Sequence, residues 1–337
     1  MNTDNQLIHT QESYGFRPGA EEFPLMVVVT FSYHCNAECP HCPYTHSNIR
    51  EKYQDVPFMP AATFRQIADE VGSHKAILRV SGGGEPMLHP QAVDLLCYAK
   101  EVGCRLGLIT NGSAFTEKGS RQLLQAGVDM IEFSVDAADR HTYEKVRQNL
   151  KWERLLANVQ RMLKLRDALG SSSKIIASGI SQKGVDIEEV ERFWRDEIGV
   201  DSFIQRKFLT WGVSTKLDYG MSADLTGFID PQTTPCPYPF ERLFVDAMGY
   251  IMVCVHDIAG NQPVGHLMDS SIQEIWQGPE LLHYRQKHLA LRGRDTALCS
   301  ACPDWKYRTW GYSYYRVVQN AEQKRLQNGI SNDLIQL

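Results

Sequence analysis

Between about residue 24 and about residue 210, short apolar runs rich in β-branched residues alternate with longer amphipathic stretches. The strand candidates are LMVVVTF at 25–31, AILRV at 76–80, RLGLIT at 105–110, MIEFSV at 130–135, KIIASGI at 174–180 and SFIQRKFL at 202–209. Helical patterns separate them. Pro60 and Pro90 suit first-turn positions, and Gly72, Gly103, Gly127, Gly170 and Gly199 stand where a helix needs a left-handed closing residue. Six near-continuous apolar strands with crossover helices predict an α/β fold with a buried parallel sheet, here a partial (β/α)6 barrel, with ligands at the strands' C-terminal ends.

After residue 209 the periodicity fades. The turn-rich run STKLDYGMSADLTGFIDPQTTP reads as a bridge to a second, smaller cysteine-rich module. The expected organisation is an N-terminal extension at 1–23, a barrel at 24–213, a linker at 214–235, the module at 236–310 and a C-terminal helix within 311–337. An aromatic group after the last cysteine, Tyr307, Trp310, Tyr312, Tyr314 and Tyr315, is explained by shielding and packing.

At 337 residues and 43% hydrophobic content the chain is long enough for a sizeable core. A net charge of -5 and a pI near 6.1 give no electrostatic reason to expect a nucleic-acid or anionic-membrane partner. The first residues lack a signal-peptide core and no stretch reaches the length of a membrane span, so a cytoplasmic protein is expected. Nine cysteines in a reducing compartment point to metal binding or catalysis rather than disulfides.

Cys35, Cys39 and Cys42 form CxxxCxxC in the loop directly after the first strand. A structural zinc site wants four closed ligands, whereas three thiolates on a [4Fe–4S] cluster leave one iron open to a substrate or cofactor. Zinc remains the alternative on these residues alone. Cys236, Cys254, Cys299 and Cys302 give Cx12Gx4C followed by CxxC, with Gly249 at the inner glycine. Four thiolates close either a cluster or a zinc ribbon. Cys97 and Cys104 fall in helix and strand patterns and read as core packing.

The CxxxCxΦC spacing, with His41 at Φ, resembles that of the radical S-adenosylmethionine (radical SAM) superfamily, and the likeness runs along the βα region. It implies that the open iron binds S-adenosylmethionine and that an injected electron yields a 5′-deoxyadenosyl radical able to abstract hydrogen. Gly83, Gly84 and Glu85 resemble the family's GGE motif bordering the methionine amino group. Asn111 lies in the TNG after the third strand; Ser134 and Asp136 would face the ribose and Arg147 the carboxylate. The fifth strand, IIASGISQKG, keeps a glycine but lacks the family's terminal glutamate, which leaves the adenine contacts unassigned. The second cysteine group resembles the SPASM/twitch extension, and the absence of cysteines after Cys302 implies one auxiliary [4Fe–4S] cluster.

Twitch-type relatives imply an oxidoreductase, a dehydrogenase of a small hydroxylated molecule such as a sugar or cyclitol, with a flavodoxin- or ferredoxin-type electron donor. A peptide substrate, hence a peptide maturase, and an epimerase are the alternative enzymes. An iron–sulfur electron carrier or a zinc-binding protein is the non-enzymatic one. No general base or hydrogen donor is assigned. Gln205, Arg206 and Lys207 on the sixth strand alternate faces, so Gln205 and Arg206 cannot both point inward, and a salt-bridging role fits each better than catalysis.

Overall fold

The computed structural model describes residues 20, 22–45, 47–207, 235–258, 260–300 and 302. Most of the N-terminal extension, almost all of the linker, the aromatic group and the C-terminal helix therefore lie outside the described residues. The six expected strands form: β1 (Met26–Val29), β2 (Ile77–Val80), β3 (Arg105–Thr110), β4 (Met130–Ser134), β5 (Lys174–Ser181) and β6 (Ser202–Lys207). They pair in parallel in sequence order, and the sheet does not close. Each is bracketed by helices, in order α1 (Ser47–Tyr53), α2 (Ala61–Ser73), α3 (Ala92–Glu101), α4 (Glu117–Ala126), α5 (Arg140–Val146), α6 (Trp152–Leu169) and α7 (Ile187–Arg192).

Alternation along the strands separates two environments. Val27, Val29, Leu78, Val80, Leu106, Leu108, Ile131, Phe133, Ile175 and Ala177 pack with helical residues such as Phe64, Leu95, Leu123 and Val159 in one large core. Met26, Val28, Ile77, Met130 and Ile176 point to the other face, where Phe244 and Met252 join them in a smaller cluster. Two apolar faces on one parallel sheet are what near-continuous hydrophobic strands require.

The helix punctuation is kept in part. Gly127, Gly170 and Gly199 are left-handed closing residues, with φ of 75°, 59° and 86°. Gly72 differs: it lies inside α2, and a Cβ there would stand 2.2 Å from the Val102 carbonyl oxygen. Close approach of α2 to the end of α3 dictates this glycine, while Lys75 takes the positive φ. Pro60 is the residue before α2, and Pro90 lies two positions before α3.

The second module is more integrated than its sequence indicates. After the short helix α8 (Tyr238–Glu241), β7 (Arg242–Val245) pairs in parallel with β1, and β8 (Tyr250–Met252) and β9 (Pro263–His266) continue antiparallel, so nine strands form one sheet. The β7–β8 turn uses Gly249 at φ 94°, and Asp246 Oδ1 accepts the amides of Met248 and Tyr250. Helices α9 (Ile272–Gln277) and α10 (Pro279–Leu289) then pack back on the barrel.

Glu70 of α2 caps α9 from outside its own element. Its carboxylate accepts the amide of Ile272 at 3.0 Å and that of Gln273 at 2.7 Å, two donors a helix start leaves unpaired. Trp276, fully buried, donates Nε1–H to the Ala20 carbonyl at 2.7 Å. Charge-assisted bonds at a helix N-terminus contribute about 1–3 kcal/mol. Glu70→Ala is therefore expected to destabilise the protein by about that amount, read as a lower urea midpoint, with Glu70→Gln intermediate. An unchanged midpoint in both variants would show that this cap does not hold the two parts together.

Candidate active site: two cysteine centres

The first centre follows β1 directly. Thr30 continues the β1–β7 pairing by donating its amide to Val245 at 2.9 Å, and the chain then turns into Ser32–Cys42. The His34 amide donates to Ser32 Oγ at 2.8 Å and the Cys42 amide to the Cys39 carbonyl at 3.0 Å, so the loop is locally fixed. The three thiols feel one another's charge, and burial pushes Cys35 up to about 11 and Cys42 up to about 12. Such thiols need a metal to hold them ionised.

Donors already face these sulfurs. The Ala37 amide lies 3.5 Å and Asn111 Nδ2 4.0 Å from Cys35 Sγ, and Arg147 Nη1 lies 3.7 Å from Cys39 Sγ. Three thiols with amide and guanidinium donors fit an anionic iron–sulfur group.

The glycine loop after β2 is molded onto this loop. A Cβ on Gly84 would stand 2.3 Å from the His34 carbonyl oxygen and 2.7 Å from that of Ser32, and one on Gly83 would stand 2.3 Å from Tyr33 Cδ1. Glu85 is an organiser. Its Oε1 accepts Thr110 Oγ1 at 2.6 Å and the Met87 amide at 3.0 Å, and its Oε2 accepts the Asn111 amide at 2.7 Å. The carboxyl is only 2% exposed, and burial raises its pKa against the lowering effect of those bonds. It ties the GGE and TNG loops together. Asn111, buried, reaches Asn36 Oδ1 at 2.9 Å.

Ser134 ends β4, half-buried at the strand's C-terminal end. Asp136 and Arg147, two other expected cofactor contacts, lie beside the first cysteine loop and contact each other. Asp136, at φ 55° and fully buried, accepts the Ile180 amide on Oδ1 at 2.7 Å, and Oδ2 lies 2.6 Å from Arg147 Nη2. That ion pair is close but lies off the hydrogen-bond direction. His41 Nε2 stands 3.6 Å from the same oxygen, and burial lowers its pKa to about 4, which leaves the ring neutral. In this structure Asp136 contacts Arg147 and the Ile180 amide, and Arg147 contacts Asp136 and Cys39. The reason is local: a buried carboxylate needs a charged partner, and Arg147 is the one within reach.

The second centre assembles around α10. Its His288, fully buried, accepts the Cys236 amide on Nδ1 at 3.2 Å and has Nε2 3.6 Å from Cys299 Sγ. Tyr284, one turn earlier, is pushed up to about 12 by burial and by the charges of Cys299 and Cys254, among others. The Cys302 amide donates to the Cys299 carbonyl at 3.2 Å, and Arg294 Nη1 lies within 3.5 Å of the carbonyl oxygens of Cys299, Ser300 and Cys302. The His256 amide faces Cys254 Sγ at 3.4 Å. N–H donors thus stand beside the sulfurs of Cys254 and Cys299, and His288 links the Cys236 backbone to Cys299.

Between the centres lies a tyrosine stack that the sequence reading missed. The rings of Tyr33 and Tyr53 stack at 3.9 Å, and Tyr44 lies 5.6 Å from the first and 5.9 Å from the second. Tyr33 Oη contacts Asp246 Oδ2 at 3.5 Å, and Tyr53 donates to the Ile258 carbonyl at 2.6 Å. The stack joins the first cysteine loop to the hairpin and to the turn after Cys254. The tyrosine spacing in PYTHSNIREKY was the available signal. His288 carried no sequence signal, because its role depends on helix packing.

The sixth-strand polar residues and the two remaining cysteines make contacts within the fold where they are described. Arg206 pairs with buried Glu132 through Nε at 3.1 Å and through Nη2, and Gln205 is exposed and donates to Ser181 Oγ at 2.9 Å. The Lys207 side chain lies outside the described part. Cys104 is buried with Sγ 3.2 Å from the Ala68 carbonyl, and Cys97 packs against the core from α3.

Comparison with known proteins agrees with this architecture. A family model of the radical SAM superfamily matches residues 29–193, and one of SPASM, an iron-sulfur cluster-binding domain, matches residues 236–303. A similar curated protein is the AdoMet-dependent heme synthase of Methanosarcina barkeri, 28% identical over 144 residues, 42% of this chain and 40% of that protein. This and two further curated relatives are matched over only 30–55% of their length. Streptococcus suis SuiB bound to precursor peptide SuiA superposes with a TM-score of 0.66 at 15% identity, covering 88% of this chain and 73% of that one. BtrN in complex with AdoMet and 2-DOIA gives 0.53 at 16% identity, covering 82% and 92%. No described helix is long and apolar enough to cross a membrane. From these matches and the paired cysteine centres, the chain belongs to the radical SAM superfamily, has a C-terminal SPASM domain, and takes as cofactors S-adenosylmethionine, a catalytic [4Fe–4S] cluster and an auxiliary [4Fe–4S] cluster.

Proposed function

We propose that this chain is an oxidoreductase that dehydrogenates a small hydroxylated substrate of the sugar or cyclitol class. What supports the reading is the second cysteine group, whose four thiolates would close a cluster suited to electron transfer, carried on the same sheet as the three-cysteine loop through β1–β7 pairing. When bound, S-adenosylmethionine and the open-sited cluster supply a hydrogen-abstracting radical, and the closed cluster supplies an electron acceptor. Oxidation of a secondary alcohol to a carbonyl removes one hydrogen atom from carbon, one proton from the hydroxyl and one electron.

In this reading Cys35, Cys39 and Cys42 hold the catalytic cluster, and Cys236, Cys254, Cys299 and Cys302 the auxiliary one. Gly83, Gly84, Glu85, Asn111, Ser134, Asp136 and Arg147 border S-adenosylmethionine at the strand ends. The Arg147 guanidinium stays charged in a buried place because Asp136 and Cys39 outweigh its desolvation. Glu85 fixes the distance between the two loops that line the cofactor. The boundaries 24–213 for the barrel and 236–310 for the auxiliary module, and a flavodoxin- or ferredoxin-type donor, belong to the same proposal.

Three substitution experiments test it. Replacing Cys35, Cys39 and Cys42 together with Ala should abolish 5′-deoxyadenosine formation after dithionite reduction; persistence of that product would place the catalytic cluster elsewhere. Gly84→Val puts its side chain against the Ser32 and His34 carbonyls, so the strain falls on the cysteine loop itself. The variant should lose iron from the first cluster as well as affinity for S-adenosylmethionine; full iron content with unchanged affinity in a titration would remove the loop from the site.

The third separates oxidation from the other outcomes. In a screen of sugars and cyclitols, the intact enzyme should convert its substrate to a product lighter by two hydrogens. A Cys299→Ala, Cys302→Ala protein should still cleave S-adenosylmethionine while yielding little of that product. A product of unchanged mass from the intact enzyme would mean epimerisation, and turnover of a peptide instead would mean a maturase.

A further inference from the structure

The His288 side chain joins the two halves of the second cysteine group. Its Nδ1 accepts the Cys236 amide at 3.2 Å, which requires that nitrogen to be unprotonated. The ring proton is therefore on Nε2, 3.6 Å from Cys299 Sγ, a normal separation for an N–H···S contact. Cys236 and Cys299 are 63 residues apart in sequence (299 − 236). A single imidazole, locked in one tautomer by a backbone amide, thus spans both.

The surroundings keep the ring in place. His288 lies in α10 at 0% exposure, between Leu281 and Tyr284 on the buried side of the same helix and the 3-10 turn Gly293–Asp295 that leads into the CxxC. Arg294 of that turn gathers the carbonyls of Cys299, Ser300 and Cys302, so the CxxC loop cannot drift from the helix without losing those contacts. The imidazole therefore meets Cys299 Sγ at a fixed position.

Donation to a cluster sulfur stabilises the more negative, reduced state, and hydrogen bonds to the sulfurs are one of the levers that set a cluster's potential. We propose that His288 is a positioning residue of the auxiliary centre: it holds Cys236 and Cys299 in register for the cluster and, by donating Nε2–H to Cys299 Sγ, makes that cluster a better electron acceptor. The inference rests on the reading that Cys236, Cys254, Cys299 and Cys302 bind the auxiliary cluster. It adds what biases electron flow from substrate towards that cluster.

The chain's own chemistry gives the size of the effect. A neutral hydrogen bond contributes about 0.5–1.5 kcal/mol, which for a one-electron couple is roughly a threefold to tenfold change in the ratio of reduced to oxidised cluster. Phe fills the same buried space without either nitrogen contact. Gln keeps a donor within reach of Cys299 but cannot also span to the Cys236 amide.

The test uses the reconstituted holoenzyme with both clusters. At the poise that leaves the auxiliary cluster of the unaltered protein half reduced, His288→Phe should lower the reduced-to-oxidised ratio at least about threefold by electron paramagnetic resonance, with His288→Gln falling less. The catalytic cluster's signal should titrate unchanged in both. If His288→Phe cannot retain the auxiliary cluster while His288→Gln does, the positioning role is upheld and the titration is read from Gln. Independently of any substitution, histidine carrying 15N only in its imidazole ring, which leaves the His256 amide beside Cys254 unlabelled, should produce a nitrogen hyperfine coupling on the reduced auxiliary cluster of the unaltered protein.

A wild-type potential in a cluster-retaining His288→Phe protein, or no histidine coupling in the labelled protein, overturns the inference. Failure of the underlying reading looks different: a Cys299→Ala, Cys302→Ala protein would then keep the full iron content of both clusters.

Discussion

The parallel pairing of β7 with β1 is the constraint on which the rest of the structure depends. Met26–Val29 are completely enclosed, with a strand on either side, and only Thr30 and Phe31 separate them from the cysteine loop. A parallel neighbour places β7's C-terminal end, and hence Asp246, beside the start of that loop, where Tyr33 reaches it. The hairpin then carries the chain to Cys254, whose following turn meets Tyr53 of α1. Backbone pairing fixes strand positions to within a fraction of a residue, far tighter than a flexible linker between separate domains. Two chemically different cysteine groups are thereby held in one frame.

Within that frame, buried carboxylates act as organisers rather than as reagents. Glu85 spends both oxygens on Thr110, Met87 and Asn111, and Glu132 holds Arg206. Burying a carboxylate costs several kcal/mol unless its lone pairs are filled, so each is surrounded by donors from more than one element. The result is loops positioned by charge-assisted bonds to rigid strands and helices. Preorganised loops of that kind keep a site's geometry without relying on the loops' own stiffness.

How much of this was legible in the sequence follows from how local each signal is. The six strands were readable because period-two burial and β-branched content act within a few residues, and their observed limits fall inside or within one residue of the expected runs. The cysteine spacing and the GGE and TNG loops were readable because each hangs on a strand end. The docking of the second module was not: β7 is only four residues, RLFV, with no periodicity to distinguish it from a buried turn of helix, and its partner lies more than two hundred residues away. A similar distance hid Glu70's cap on α9, and helix packing hid His288's link between Cys236 and Cys299. For Asp136 and Arg147, nothing in the sequence signalled that in the folded chain the two would pair with each other beside the first cysteine loop.

The tyrosine stack follows from the same geometry. Where the first cysteine loop, α1 and the turn after Cys254 converge, small residues would leave a polar gap open to water. Tyr33, Tyr44 and Tyr53 fill it with ring area and send two hydroxyls to fixed acceptors, Asp246 and the Ile258 carbonyl. Burial raises all three phenol pKa values, Tyr53 to about 12, so the rings stay neutral and add no charge to either centre. Ile49, Ile258 and Val56 complete the apolar seam. A neutral, water-poor seam lowers the local dielectric, and a lower dielectric strengthens each remaining interaction at its margins, including those of Arg147 with Cys39 and Asp136. The packing that joins the two centres thus also sharpens the electrostatics of the first.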